Sequence, residues 1–342
     1  NDSNIFKVLY ELNNLFSDLY LMNLTIKKIL PFILCVFCFF SIPNSWALEN
    51  YVGELFKTDK PISLYTATQA KEEEANKEKI NSIFWQITDL EGKEHYLFGT
   101  IHTDDNRVSN FKPIVEEKLK EIDIFVMEAD EVIDRSILHV DPKVYNGRLS
   151  EEELEKINLL ADFHTMPREH ILSMKPWILA VIFDSPRPIT PFNQDNLLKS
   201  KAEDFMKITQ GLETPREHFE ALDRFKIDEQ MSLLKAVLKK DFAQKEANYE
   251  LLVSAYLTFN TEKILNTDIL ITKSLVSNAI WEKMEYYFLT RRNKFFGERV
   301  KELIKGNRIF IAVGASHLGG VTGLLNQFKD AGFKLKPIQA LE

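Results

Sequence analysis

Two stretches of the chain close in the same way, and together they limit what it can fold into. Tyr96-Leu97-Phe98-Gly99-Thr100-Ile101-His102 and Arg308-Ile309-Phe310-Ile311-Ala312-Val313-Gly314-Ala315-Ser316-His317 are apolar runs that finish in Gly-x-x-His. Such a run reads as a buried strand, and the glycine is expected to let the backbone turn tightly. Each histidine then falls at or just past a strand's end, where α/β folds place their chemistry. Two strands of this kind, far apart in sequence, predict two imidazoles brought to one point.

A third vertex follows the first strand. Phe111, Ile114, Val115 and Leu119 have helical spacing, with Pro113 in the first turn. Ile124-Phe125-Val126-Met127-Glu128 then reads as a short strand delivering a carboxylate. Strand, helix, strand implies a right-handed crossover and parallel pairing, which would seat Glu128 beside His102. Ser82 to Thr88 and the turn Asp89-Leu90-Glu91-Gly92-Lys93 make a hairpin with the strand ending at His102. Ser150 to His164, opening Ser-Glu-Glu-Glu, and Lys175 to Phe183 are predicted helices, and Ser185 to Pro191 a loop at a rim. Leu197 to Lys305 reads as largely helical, Val321 to Asp330 as a helix and Phe333 to Ile338 as a closing strand. The predicted class is α/β, a central mixed sheet with a largely helical insertion between the first and last core strands, over residues 81–342.

The N-terminal part reads differently. Met22, the basic pair Lys27-Lys28, the apolar run Ile29 to Ile42 and the small-x-small Ser45-Trp46-Ala47 form a cleavable export signal over residues 22–47. The run is shorter than the about 20 apolar residues that span a bilayer, so no stable membrane anchor is expected. Residues 1–21 read as an upstream extension and the polar residues 48–80 as a flexible lead-in. Cys35 and Cys38 both lie in the export signal. Its removal would leave no thiol for catalysis, disulfides or metal ligation, and the chain is expected in the periplasm or secreted. The net charge of −8 and the absence of a long basic block argue against nucleic acid as a partner.

A divalent metal needs two or three ligands held at about 2.0–2.2 Å, and His with Glu suits zinc, manganese or cobalt. His102, Glu128 and His317 answer that need at strand ends, although a lone strand-end histidine is more often structural. Asp104, Asp105 and Asp130 are further acids nearby, the first two better read as caps of the next helix. Arg291-Arg292-Asn293 follows an aromatic helix over Trp281 to Leu289. It is either a solvated charge pair or supplies an Arg that clamps a carboxylate or oxyanion. There is no His-Glu-x-x-His, no phosphate-binding glycine loop and no Gly-x-Ser-x-Gly elbow, so Ser316 is not read as a nucleophile.

These motifs together resemble the TraB/PrgY/GumN family, which includes the Tiki proteases of animals. The resemblance runs from Ile83 to Ile338. It rests on Leu97 to His102, Phe125 to Asp130, Arg292-Asn293, Val313 to Gly320 and Gly323-Leu324-Leu325. It implies an α/β metal-dependent peptidase with His102, His317 and Glu128 as metal or catalytic residues and Arg292 and Asn293 as active-site supports. Gly99, Thr100, Asp130, Gly314 and Ser316 belong to the supporting motifs. Two positions depart from the pattern: Thr290, where an acid is frequent, and His218 after Leu212-Glu213-Thr214, where a Gln is usual. The expectation is an exported hydrolase that uses Mn, Co or Zn on a peptide or protein. The alternatives are a non-catalytic protein that sequesters a peptide in the same cleft, and a scaffold protein.

Overall fold

The computed structural model describes residues 81–129, 135–190 and 192–341. The upstream extension, export signal and lead-in expected over residues 1–80, and Asp130, lie outside them. Six strands form one mixed sheet: β1 (Phe84–Thr88), β2 (Glu94–Thr100), β3 (Ile124–Ala129), β4 (Ile208–Glu213), β5 (Ile309–Gly314) and β6 (Lys334–Ile338). The order is β4-β3-β5-β2-β1-β6. β4, β3, β5 and β2 run parallel, and β1 is antiparallel to both its neighbours. The β1–β2 turn is set by Asp89, whose Oδ1 accepts from the backbone N–H of Glu91 and Lys93, and by Gly92 at φ 86°.

Two expectations are corrected here. β3 does not lie beside β2, because β5 is inserted between them. β5 is buried at every position, and a strand apolar on both faces belongs where neighbours cover both of its edges. Glu128 is therefore next to the His317 strand and one strand further from the His102 strand. The stretch from Leu197 to Lys305 is also not wholly helical, since β4 crosses it and pairs with β3 with Glu213 opposite Ala129.

Both faces of the sheet are covered, and the alternation along the strands shows how. Tyr96, Phe98, Phe125 and Phe310 point to one face, against α1 (Pro113–Glu121), α4 (Gln194–Asp204) and α7 (Phe242–Tyr256) through Val115, Leu119, Leu198 and Tyr256. Leu97, Val126, Ile311 and Val313 point to the other, against Phe296 and Val300 of α10 (Arg291–Leu303) and Phe328 of α11 (Leu324–Asp330). The inner faces of these strands are aromatic, with Phe310 ringed by Phe84, Phe98 and Phe125 at 5.4–6.3 Å. Each such side chain contributes about 1.5–3 kcal/mol by leaving water.

The insertion builds a second apolar cluster. α2 (Glu151–Phe163) starts at a capping box in which Ser150 and Glu153 exchange side-chain-to-backbone bonds. α3 (Pro176–Asp184) is buried from Pro176 to Phe183 and packs on α6 (Ile227–Lys239). α5 (Pro215–Asp223), α8 (Thr261–Lys273) and α9 (Asn278–Met284) complete the layer. A π-helical turn, Glu285–Thr290, joins α9 to α10. Among the described residues no helix is long and apolar enough to cross a membrane.

Candidate functional site

Because four neighbouring strands are parallel, their C-terminal ends share one edge of the sheet. Each delivers one polar residue there: Glu213 from β4, Glu128 from β3, His317 three residues past β5 and His102 two residues past β2. Their exposures are 6, 4, 4 and 4%. Polar groups buried this deeply must be paired with one another.

Arg292, in the first turn of α10, supplies the pairing. Its Nη2 donates to Glu128 Oε2 at 2.6 Å and to Glu213 Oε2 at 2.8 Å, and its Nε donates to both oxygens of Glu213 at 3.1 Å. Nη1 lies 3.3 Å from His317 Nε2, and Nη2 lies 3.1 Å from His218 Nδ1. Its flat face lies over the Phe296 ring. The second oxygen of Glu128 accepts the backbone N–H of Gly314 at 2.7 Å, which ties β3 to the turn that carries His317.

The charge states follow from these contacts. Burial opposes ionisation of Glu128, but Arg292 and the surrounding imidazoles outweigh it and hold the carboxyl well below the usual range. Burial likewise opposes ionisation of Glu213, yet Arg292 and His218 bring it down to about 2. Burial lowers His317 to about 4 against the pull of Glu128. At neutral pH His317 is uncharged, so its 3.6 Å approach to Glu128 Oε1 is not an ion pair.

The histidines share a second feature. His317 Nδ1 donates to Asn293 Oδ1 at 2.6 Å, and the Asn293 amide is turned that way by its Nδ2 donating to Thr322. His102 Nδ1 lies 2.5 Å from Asp195 Oδ2, and Thr100 Oγ1 donates to the other Asp195 oxygen at 2.8 Å. His218 Nδ1 lies 3.2 Å from Glu213 Oε2. At His317 the Asn293 oxygen at Nδ1 fixes the tautomer that leaves Nε2 as the lone-pair nitrogen, the state a metal ligand needs.

The donor set is imidazole nitrogen, with His317 uncharged at neutral pH, and a carboxylate held ionised, the chemistry a divalent cation would take. As the side chains stand, no three His, Cys, Asp or Glu among the described residues converge as metal ligands. Arg292 provides the positive charge beside Glu128 for which a cation would compete. The structure thus brings Glu128, His317, Arg292 and Asn293 into direct contact. His102 lies one strand on, two residues past the end of β2.

The supporting motif residues act in ways the sequence only partly suggested. Gly99 sits inside β2 opposite Val313 and makes no turn. Its value is close approach: a Cβ there would lie 2.9 Å from Leu318 and 3.1 Å from Ala315, in the turn that bears His317. Ser316 Oγ donates to Asp268 Oδ2 of α8 at 2.5 Å. Asp105 caps the single helical turn Asn106–Ser109 through the Arg107 N–H. Asp104 does not cap it and accepts instead from the backbone N–H of Ile189 and Thr190, pinning the rim loop. Asp195, Glu213 and His218 belong to the site, and the sequence did not single out the first as a candidate or assign the other two a role. An acid in a helix's first turn, as Asp195 is, reads from sequence as ordinary dipole pairing.

The family model that matches, over residues 83–337, is that of the TraB/PrgY/gumN family. No curated protein and no solved structure matches the chain.

Proposed function

Since the chain belongs to the TraB/PrgY/gumN family, we propose that it is a metal-dependent hydrolase of peptide bonds. The observation that carries the reading is the pairing of Nδ1-anchored imidazoles, His317 on Asn293 and His102 on Asp195, with an ionised Glu128 on one sheet edge. His102 and His317 would hold the cation through Nε2, with Glu128 as the carboxylate ligand. A cation held there would supply a water of lowered pKa, toward about 7, and a Lewis acid for the scissile carbonyl.

The protein's own residues do the rest. Glu128, held ionised beside Arg292, would serve as a ligand or as the general base. Arg292, bound to Glu213 and Glu128, keeps both carboxylates ionised in the low-dielectric interior; it is a positioning residue. Asn293 holds the His317 proton at Nδ1, and Asp195 sets its carboxylate against His102 Nδ1 at 2.5 Å. The export signal read over residues 22–47 accords with a periplasmic or secreted enzyme, and the N-terminal sequence of the mature protein checks it.

The test is cleavage of a peptide library by the purified chain with Mn²⁺, Co²⁺ or Zn²⁺, and with chelator. Turnover that disappears with chelator and in His102→Ala is the expected result. Peptide binding without turnover in every metal would instead favour the sequestering alternative.

A further inference from the structure

α10 has two faces. Arg292, Asn293, Phe296 and Val300 are buried and turned to the sheet. Arg291, Lys294 and Glu298 follow at i, i+3 and i+7 on the exposed face, where they line a cleft of about 500 Å³. The opposite wall is the turn that follows His317 together with α11, through Thr322 and Gln327. A cavity of this size falls within the range of about 300–1,000 Å³ typical of ligand sites. One end is shaped by the π-helical turn Glu285–Thr290, an irregularity that recurs at functional sites.

The cleft is built onto the seat of His317. Thr322, five residues past His317, accepts at its Oγ1 from Asn293 Nδ2 at 3.4 Å, and the same Asn293 amide accepts the His317 Nδ1 proton at 2.6 Å. Gln327 Nε2 donates to the Asn293 carbonyl at 2.9 Å and to the Thr322 carbonyl at 2.8 Å. Gly297 gives the Gln327 amide the room to lie there, since a Cβ at that position would strike it. The wall of the cleft and the seat of the imidazole are therefore one hydrogen-bonded unit, and a group bound in the cleft is held beside the edge that carries His317.

The lining selects the chemistry of that group. Arg292 and Arg299 of α10 are tied to Glu128, Glu213 and Glu217, whereas Arg291 and Lys294 make no ion pair among the described residues. Glu298 is the one acid of the lining, against two cations, so the cleft reverses the sign of a chain whose net charge is −8. The planar fork of an arginine and the point charge of a lysine, one turn apart on a helix, suit a carboxylate. Tyr286, 52% exposed, and Phe295 offer rings to the chain that bears it. We propose that this cleft is the substrate subsite beside His317, and that Arg291 and Lys294 there hold a carboxylate of the peptide, either an Asp or Glu side chain or the free C-terminus. This rests on the peptide-hydrolase reading and gives it a substrate class, acidic peptides.

The test uses the full chain with two random decapeptide pools, one ending in a free carboxylate and one amidated. Cut products are sequenced by mass spectrometry, as are peptides retained by the immobilised chain and eluted with salt. Wild type is expected to enrich Asp and Glu at one position beside the cut, or the free-acid pool over the amidated one, by about fivefold, the yield of two partly exposed charged contacts. Arg291→Gln/Lys294→Gln is expected to lose that enrichment among both cut and retained peptides. Cleavage or retention without acidic enrichment in wild type, or with the same enrichment in the variant, overturns the inference, and cleavage leaves the hydrolase reading standing. Retention of acidic peptides that the variant loses, with no cut in any metal, supports the subsite and overturns the hydrolase reading. Neither cutting nor retention by wild type overturns both. Should the double variant fail to fold, Lys294→Gln alone is judged by the same criteria.

Discussion

Arg292 Nη2 lies 2.6 Å from Glu128 Oε2, a contact between two buried side chains, one in the first turn of a late helix and the other at the end of a central strand. The same guanidinium is chelated by Glu213. Removing it would leave two carboxylates buried and unpaired. Arg292→Ala is expected to destabilise the protein by about 3–5 kcal/mol, the usual cost of breaking a buried pair on one side. Urea unfolding measures this, and adding Glu128→Gln and Glu213→Gln should recover part of the loss.

Asn293→Ala and Asp195→Asn each leave the ligands in place but release an imidazole from the oxygen at its Nδ1. A fall of about 10–100-fold in metal affinity and peptide turnover is expected for either, beside the loss of stability of about 1–3 kcal/mol that a broken buried hydrogen bond brings. A variant that melts early yet binds metal normally would assign these residues to the fold alone.

Gly99→Ala tests the close packing of β2 on the turn that carries His317. The new methyl has to displace Leu318 or the Ala315 backbone. A destabilisation of about 1–3 kcal/mol is expected, as for overpacked cores, and denaturant titration would reveal it.

Stability should also respond to pH on both sides of neutrality. His317 is lowered from 6.5 to about 4, so its contribution is present above about 6.5 and is lost as pH falls through about 4. Asp268 moves the other way. Burial raises it from 3.8 to about 7 despite its bond from Ser316, so its contribution is fully present below 3.8 and is lost as pH rises through about 7. Asp268→Asn keeps an acceptor for Ser316 and cannot ionise. Its melting temperature relative to wild type is expected to climb between pH 5 and pH 8, and a constant difference would rule out the titration of Asp268.

Much of this site was visible before any coordinates, because strand ends announce themselves. An apolar run stopping at Gly-x-x-His or at Glu places a polar side chain at the edge of a sheet, and His102, Glu128 and His317 were read in that way. β4 was not visible. Ile208-Thr209-Gln210-Gly211-Leu212-Glu213 has two large apolar residues, lies at the sheet's edge and is only partly buried, so hydrophobic periodicity carries no strand signal there. With β4 lost, Glu213 and His218 had no place in the site. The insertion of β5 between β2 and β3 was likewise beyond a local pattern, since strand order depends on which strand most needs covering. Gly99 was identified for the right position and the wrong reason: its backbone is ordinary strand, and what matters is the space it leaves for a turn more than two hundred residues away.

The central claim is that His102, His317 and Glu128 share one divalent cation. Equilibrium dialysis of the purified chain against Zn²⁺, Mn²⁺ and Co²⁺, with bound metal counted per chain, tests it most directly. One tightly bound ion per chain in the wild type, lost in His317→Ala and in Glu128→Gln, is the predicted result. No bound ion in the wild type, or equal binding in the wild type and both variants, would contradict it.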